Sequence, residues 1–377
     1  MPIMTGLCGN EMYCLSLEGM TPGELVIGNS VHSLGLLGSL GAGLQTAFGG
    51  EVSQVTSIIS EGRHESEARL VAEAVKHGAH GITGMTSELR SMQGNVEFLS
   101  VGSCVHAKTP LPREPFSTSS NGQELFCLMD CGYTPNKFVI GNVCYSIGVA
   151  GGIFGTLKTL ARGEIKEFSD IFNSTRHLAL ARIAGEAKAA GANAVLGIQT
   201  RIMPFGAAHE MLMVGTAASH PALPASGDPV TSDLTCEEMW NLAALGYMPL
   251  KMLLGTAVYS LGVIGGLKAM FKSFTRGEIS DLTSLIYDAR EHAIGLLKDE
   301  AARIGADDVV GIKTHIHEFA SLIEFMAVGT AVKKMPAGKP KSDALPVQAV
   351  IRDRDTWISE DEIFGRSMTA ESGPGSD

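Results

Sequence analysis

The sequence is poor in charged side chains and contains no cluster of positive ones. Asp, Glu, Lys and Arg make up 18 % of its 377 residues, and the formal net charge is −11. Binding to a phosphate backbone requires concentrated positive charge, so this balance argues against nucleic acid as the main partner. Hydrophobic residues reach 45 %, which indicates a globular chain.

The sequence also lacks paired cysteines. Its seven cysteines are odd in number and show no regular spacing: Cys8, Cys14, Cys104, Cys127, Cys131, Cys144 and Cys236. The Met-Pro start does not resemble a signal peptide. We therefore expect reduced thiols in a cytoplasmic protein. Cys127 and Cys131 lie one helical turn apart, but without a second pair this spacing favours the packing of an apolar helix over a metal site.

Catalytic motifs are missing as well. The chain has no Gly-x-Ser-x-Gly elbow and no phosphate loop, and no Ser/His/Asp or Cys/His set recurs along it. Gly38, Gly41 and Gly43 suggest a nucleotide turn, but the related stretch that begins at Gly151 lacks their spacing. The pattern therefore favours a protein without enzymatic activity.

What the chain does contain is one pattern repeated three times. Residues 24–107, 137–220 and 251–334 align without a gap, at offsets of 113 and then 114 residues. The shared positions include glycines, arginines and glutamates: Gly28, Gly141 and Gly255; Arg63, Arg176 and Arg290; Glu73, Glu186 and Glu300; Glu97, Glu210 and Glu324. Repetition at a fixed period predicts three folded units of one kind.

The repeats divide the chain into six segments. We predict repeat 1 with an N-terminal segment at 1–107, a linker at 108–123, a docking helix and repeat 2 at 124–220, a linker at 221–234, a docking helix and repeat 3 at 235–334, and a C-terminal extension at 335–377. The prolines of both linkers predict exposed connections. Thr235 and Glu238 predict a capping box on the second docking helix. Residues 345–351 predict a further strand, and the polar tail from residue 366 predicts disorder.

Each copy has the pattern of a β-α-α-β-β unit. In copy two we predict a first strand at 138–147, a short helix at 153–161, a long helix at 164–190 and further strands at 194–203 and 210–217. Glu164 is expected in the first turn of the long helix, where a carboxylate offsets the helix dipole. Gly191 is expected to end that helix in the left-handed conformation. We therefore predict an antiparallel three-stranded sheet backed by helices in each repeat.

One uncharged stretch, residues 30–50, would nearly span a bilayer. The related stretches carry Lys158 and Arg162 in copy two and Lys268 in copy three. Because equivalent segments should occupy equivalent places, we favour a buried or interface helix over a membrane span.

Three runs of copy two resemble the YbjQ family: Val-Ile-Gly-Asn at 139–142, Glu-Ala-x-x-x-Gly-Ala-Asn-Ala-Val at 186–195 and Val-Gly-Thr-Ala at 214–217. The resemblance covers every repeat and is weaker in copy one. It implies a small α+β, dodecin-like fold and ring-like oligomers, typically pentamers built around a barrel. The family is labelled heavy-metal-binding, which implies a divalent transition metal. A tandem chain departs from the single-domain pattern, so the ring size does not carry over.

Two series of charged residues recur at equivalent places. The arginines lie on the predicted long helix and the glutamates open the last strand: Arg63, Arg176 and Arg290; Glu97, Glu210 and Glu324. A charge repeated in every copy can serve as an ion pair, a subunit contact or a ligand anchor. Our hypothesis is that both series are interface or fold-holding groups.

The strongest local candidates for metal ligands are His315 and His317. Strand alternation puts both on one side, but a structural site usually needs four ligands. Copy two has Arg201 and Met203 at these positions, so the pattern favours solvated or interface histidines.

The leading interpretation is a non-enzymatic oligomeric scaffold or binding protein that associates with itself into a ring. The alternative is a heavy-metal-binding protein that holds zinc, copper or nickel with His and carboxylate ligands at repeat or subunit junctions. An enzyme with a site at a repeat junction is the third class.

Overall fold

In each repeat a long first strand is followed by a long helix and a two-stranded hairpin. The computed structural model describes residues 2–33, 50–92, 95–109, 115–146, 163–205, 208–225, 227–260, 280–319, 322–335 and 338–346. Repeat 1 contains β1 (Met20–Ser33), α2 (Ser53–Lys76), β3 (Gly81–Met92) and β4 (Asn95–Ala107). Repeat 2 contains β6 (Thr134–Ser146), α4 (Lys166–Ala189), β8 (Ala194–Phe205) and β9 (Ala208–Ser219). Repeat 3 contains β11 (Tyr247–Ser260), α6 (Ser280–Ile304), β12 (Asp308–Phe319) and β13 (Leu322–Lys334). The fold class is α+β.

Short elements join the repeats. A helix precedes each first strand, namely α1 (Gly9–Leu17), α3 (Gly122–Asp130) and α5 (Cys236–Ala244). Two-residue strands occur at β2 (Gly50–Glu51), β5 (Phe116–Ser117), β7 (Gly163–Glu164) and β10 (Val230–Thr231). All these elements belong to one compact unit, Met1–Ala344; a second unit, Leu345–Asp377, is described only at its first two residues.

Within the described residues, the sheets are larger than the three-stranded ones that the sequence predicts. Their strand orders are β1-β4-β3-β5, β10-β8-β9-β6-β2 and β12-β13-β11-β7. β2 and β7 each pair with the first strand of the next repeat, so repeats 1 and 2 each add a strand to the sheet of the repeat that follows. The expectation that Glu164 opens the long helix is wrong, since Glu164 lies in β7 opposite Tyr259 of repeat 3. A long-range pairing overrides the local helix signal here.

Several predictions concern segments outside the described residues. These are the short helix at 153–161, most of the uncharged stretch at 30–50, most of the strand at 345–351 and the tail from residue 366. Where the chain is described, no helix combines the length and the apolar character that a membrane crossing requires.

The later part of each connector is largely buried, whereas Pro115, Pro221 and Pro224 are exposed, as expected for a linker. β5 pairs in parallel with β3, and β10 pairs in parallel with β8. The backbone N–H of Phe138 donates to Ser117 Oγ, and that of Met252 donates to Thr231 Oγ1, both over 2.9 Å. Because each connector extends one sheet and accepts a hydrogen bond from the next, it holds consecutive repeats together.

Three equivalent glycines set the spacing between each first strand and its own long helix. A Cβ on Gly28 would lie 2.0 Å from the Ser66 carbonyl oxygen, and one on Gly141 would lie 2.3 Å from that of Ala179. Gly255 stands in the same relation to Ala293 of α6, at 2.4 Å. Only glycine permits this approach, which explains why the position is glycine in all three copies.

The hydrophobic core runs through the repeat boundaries. One cluster joins Leu70 and Ile82 of repeat 1 to Ile140 of repeat 2. Another joins Ile183 of repeat 2 to Leu254 of repeat 3. In both cases the helix layer of one repeat covers the first strand of the next.

Candidate functional site at the repeat junctions

The first junction contains a buried ion pair between repeats 1 and 2. Arg63 on α2 donates from Nε to Glu210 Oε1 over 3.0 Å and from Nη2 to Glu210 Oε2 over 2.7 Å. Its Nη1 donates to the carbonyl oxygen and the hydroxyl of Ser87. Both charged side chains are almost fully excluded from solvent. Two parallel hydrogen bonds between guanidinium and carboxylate are strong and fix the relative orientation of the two groups.

The second junction repeats this arrangement between repeats 2 and 3. Arg176 on α4 donates from Nε to Glu324 Oε1 over 3.1 Å and from Nη2 to Glu324 Oε2 over 2.8 Å. Nη2 also donates to the hydroxyl of Tyr145, whose ring lies 4.5 Å from the guanidinium carbon. Burial acts to lower the pKa of Arg176, but the neighbouring Glu324 carboxylate raises it. The arginine therefore stays charged although it is buried.

The third arginine and the remaining glutamate are not brought together. Arg290 on α6 is exposed, and Glu97 on β4 is half-buried. Glu97 Oε1 accepts a hydrogen bond from Asn29 Nδ2 over 3.3 Å. The pairing rule is that the arginine of one repeat meets the glutamate of the next, so the first glutamate and the last arginine remain at the two ends of the series.

A second polar contact, which was not predicted from the sequence, crosses each junction. Glu186 Oε2 accepts from the backbone N–H of Ile140 over 2.9 Å, and its Oε1 contacts His64 Nε2 of repeat 1. Glu300 accepts from Lys251 Nζ over 2.8 Å, and a carboxylate oxygen lies 3.7 Å from His177 Nε2 of repeat 2. The sequence does contain a signal for this contact. The glutamate recurs in all three copies, and the histidine recurs in copies one and two as His64 and His177.

These contacts shift the pKa values of the groups involved. The hydrogen bond with Glu186 raises the pKa of His64, and the nearby Glu300 carboxylate raises the pKa of His177. Burial acts to raise the pKa of Glu300, but the nearby His177 and the hydrogen bond from Lys251 lower it to about 2. Both imidazoles are therefore protonated more readily than in water, and at the second junction Glu300 stays ionised.

A groove of about 340 Å³ lies beside the second junction. His177 and Lys251 in its lining already contact Glu300, and Lys188 lies 3.7 Å from Asp228. The charged groups of this groove are thus engaged with one another.

Among the described residues, no third ligand joins His315 and His317. Their rings stack with centroids 6.5 Å apart on β12. Glu324, opposite His317 on the neighbouring strand, is already bound by Arg176. In the portion of the chain that the structure describes, no three His, Cys, Asp or Glu side chains come together around one point. Two imidazoles without further donors do not fit a structural heavy-metal centre.

The cysteines do not supply further ligands. All seven are free thiols, and Cys8 alone among them is exposed. Burial raises the pKa of Cys131 to about 12 and also raises the pKa of Cys127. Burial therefore keeps these thiols in the neutral form.

A chain of like α+β units that share buried junctions is a tandem-repeat protein. This chain belongs to the YbjQ family: the family model, described as "Putative heavy-metal-binding", matches at residues 20–108, 134–220 and 247–335.

Relatives match either one repeat or several. The chain is 28 % identical over 235 residues to Encapsulin nanocompartment protein Rv1762c of Mycobacterium tuberculosis, which covers 59 % of this chain and 88 % of that protein. It is 39 % identical over 85 residues to a UPF0145 protein of Paraburkholderia phymatum, covering 22 % of this chain and 77 % of that protein. It is 40 % identical over 82 residues to UPF0145 protein TTHA1944 of Thermus thermophilus, covering 22 % and 72 %. The shorter matches have the length of one repeat, and the longest exceeds two.

Proposed function

We propose that this chain is a non-enzymatic structural subunit that associates with itself into a ring-like scaffold. The observation that carries the proposal is the pair of buried Arg–Glu contacts between consecutive repeats. Arg63, Arg176, Glu210 and Glu324 act as the groups that hold the repeats in a fixed order. Loss of one partner from a pair would leave the other charge buried and unpaired, at a high cost in free energy. The junctions therefore have the character of permanent interfaces.

The relative from Mycobacterium tuberculosis supports a role in assembly. Its name connects it with an encapsulin nanocompartment. A subunit that presents unlike ends forms heterologous contacts, and such contacts generate rings when the rotation closes. Because each chain supplies three units, a closed ring of whole chains contains a multiple of three units.

Heavy-metal binding is the second candidate, favoured by the description of the family and by the stacked pair His315 and His317. The described residues bring no third ligand to this pair, and this candidate places further His and carboxylate ligands at a repeat or subunit junction.

Native mass spectrometry of the untagged protein, combined with elemental analysis, tests the proposal. We expect a defined homo-oligomer without stoichiometric zinc, copper or nickel. A monomer at all concentrations up to about 100 µM, where even weak specific contacts are populated, would contradict the scaffold. Stoichiometric metal in a monomer would support the second candidate instead.

A further inference from the structure

The first strand of repeat 1 presents an apolar face that no described part of the chain covers. Leu25, Ile27 and Val31 on β1 are exposed. Ile27 is 50 % exposed, whereas the equivalent Ile140 in repeat 2 is 2 % exposed. In repeats 2 and 3 this face is covered by the helix layer of the preceding repeat. We name the residues Leu25, Ile27 and Val31, together with Glu97, the head surface.

The last repeat presents the complementary face. Arg290 on α6 is exposed, whereas Arg63 and Arg176 are fully buried. Ile312 on β12 is 46 % exposed, whereas the equivalent Ile198 is 3 % exposed. Ile316 is exposed on the same strand. We name Arg290, Ile312 and Ile316 the tail surface.

The N-terminal segment reproduces a connector that pairs with no outer strand among the described elements. Residues 3 and 4 precede α1 by the same number of residues as β5 precedes α3 and β10 precedes α5. The backbone N–H of Leu25 donates to the Met4 carbonyl oxygen over 2.6 Å, at the position where Phe138 donates to Ser117. β5 and β10 also pair with an edge strand of the preceding repeat, but Ile3 and Met4 are exposed. The equivalent edge strand of repeat 3, β12, lies at the edge of its sheet.

We propose that the tail surface of one chain docks on the head surface of a second copy, with Arg290 paired to Glu97. Residues 308–309 of β12 then lie parallel to residues 3–4 of the second copy, and the contact repeats the junction already present twice within the chain. We identify the partner as a second copy of this chain because the chain carries both the head surface with Glu97 and the tail surface with Arg290. The inference rests on the proposed scaffold and names its contact surface.

One polar position distinguishes the contact between chains from the junctions within the chain. Inside the chain, His64 faces Glu186 and His177 faces Glu300. The equivalent residue on the last helix is Glu291, which meets Glu73 of the second copy. Two carboxylates repel where an imidazolium and a carboxylate attract. The contact between chains is therefore weaker than its counterparts within the chain, and the substitution Glu291→His strengthens it.

Sedimentation velocity over a concentration series tests the contact with full-length variants. Arg290→Glu and Glu97→Arg each weaken association at least ~30-fold, because each places like charges at a buried pair. The double variant Arg290→Glu/Glu97→Arg restores association, and Glu291→His tightens it by about threefold or more. Arg303→Glu on the same helix is the control, since the equivalent Ala189 stays exposed inside the chain.

The outcomes separate this inference from the proposed function. An oligomer that is insensitive to Arg290→Glu leaves the scaffold intact and overturns the head-to-tail contact. Sensitivity to Glu97→Arg alone overturns it too, since it indicates a contact between two heads. A wild-type protein that stays monomeric overturns both. Circular dichroism confirms that every variant is folded, and tightening by Glu291→His cannot result from misfolding.

Discussion

The junctions within the chain and the two free ends of the repeat series are built from the same residues in different states. Arg176 is fully buried against Glu324, and its equivalent Arg290 is exposed. Ile140 is buried under repeat 1, and its equivalent Ile27 lies in solvent. The difference shows that burial at these positions is decided by the neighbouring repeat, since the repeat itself provides the same side chain in each case.

The comparison also explains why the charged pairs can exist at all. Moving an arginine and a glutamate out of water is costly unless each finds the other with good geometry. At the closed junctions both partners arrive together when two repeats pack. At the free ends the partner is missing, and there Arg290 stays solvated while Glu97 accepts a hydrogen bond from Asn29.

The largest expected difference concerns the arginines. Arg176→Ala leaves Glu324 buried without its partner and should lower the free energy of unfolding by about 3 to 5 kcal/mol. Arg290→Ala, measured where the protein is monomeric, should change it by less than about 0.5 kcal/mol. Urea denaturation at low protein concentration measures both. Equal losses in the two variants would show that the junction does not decide the role of the arginine.

The isoleucines of the first strands give the next largest contrast. Ile140→Ala removes a side chain from the core shared by repeats 1 and 2 and should cost about 2 to 5 kcal/mol. Ile27→Ala at the equivalent exposed position should cost less than about 0.5 kcal/mol in the monomer. The two variants carry the same chemical change, so each serves as the control for the other in the same denaturation series.

The three equivalent glycines should be equally important at the junctions and at the free ends, unlike the arginines and isoleucines. Gly28, Gly141 and Gly255 each contact the long helix of their own repeat, so the end repeats should be as sensitive as the middle one. Substitution by alanine at each should cost about 1 to 3 kcal/mol through overpacking. Gly185→Ala is the control, since a Cβ there meets no atom within 4 Å and should add about 0.5 to 1 kcal/mol of helix stability. A loss at Gly141 alone would mean that the contact depends on the neighbouring repeats.

The local features of each repeat were predictable from the sequence, and the contacts between repeats were not. Gly191 takes a φ of 69° at the end of α4, and Thr235 and Glu238 form a capping box on α5, both as predicted. These features depend on a few consecutive residues. The recurrence of the arginine and glutamate series singled them out, but no feature of the sequence indicated that Arg63 pairs with Glu210 rather than with Glu97 of its own repeat.

The connectors show a second reason why contacts between repeats could not be predicted from the sequence. Their prolines, serines and threonines are typical of exposed loops. Ser117 and Thr231, however, use their hydroxyls to accept backbone hydrogen bonds from the next repeat. Short polar side chains satisfy buried backbone donors as well as they face water, so composition does not separate the two situations.

The smallest expected effect is a pH dependence of the closed junctions. Their carboxylates raise the pKa of His64 and His177 in the folded state. The resulting stabilisation is fully present below the unfolded value of about 6.5 and is lost as the pH rises through the raised values. Both imidazoles are partly exposed, so each contact contributes roughly 0.2 to 1 kcal/mol.

Unfolding free energies at pH 5.5 and 8.5 measure this effect when the wild type is compared with the variant His64→Gln/His177→Gln. The variant is needed as a reference because burial lowers the pKa of His209 and His220. These two histidines make stability rise with pH in the wild type and in the variant alike. We expect the wild type to lose more stability than the variant between the two pH values. An identical pH dependence in the two proteins would show that His64 and His177 do not stabilise the junctions. The buried Arg–Glu pairs would then be the polar contacts that distinguish the closed junctions from the free ends.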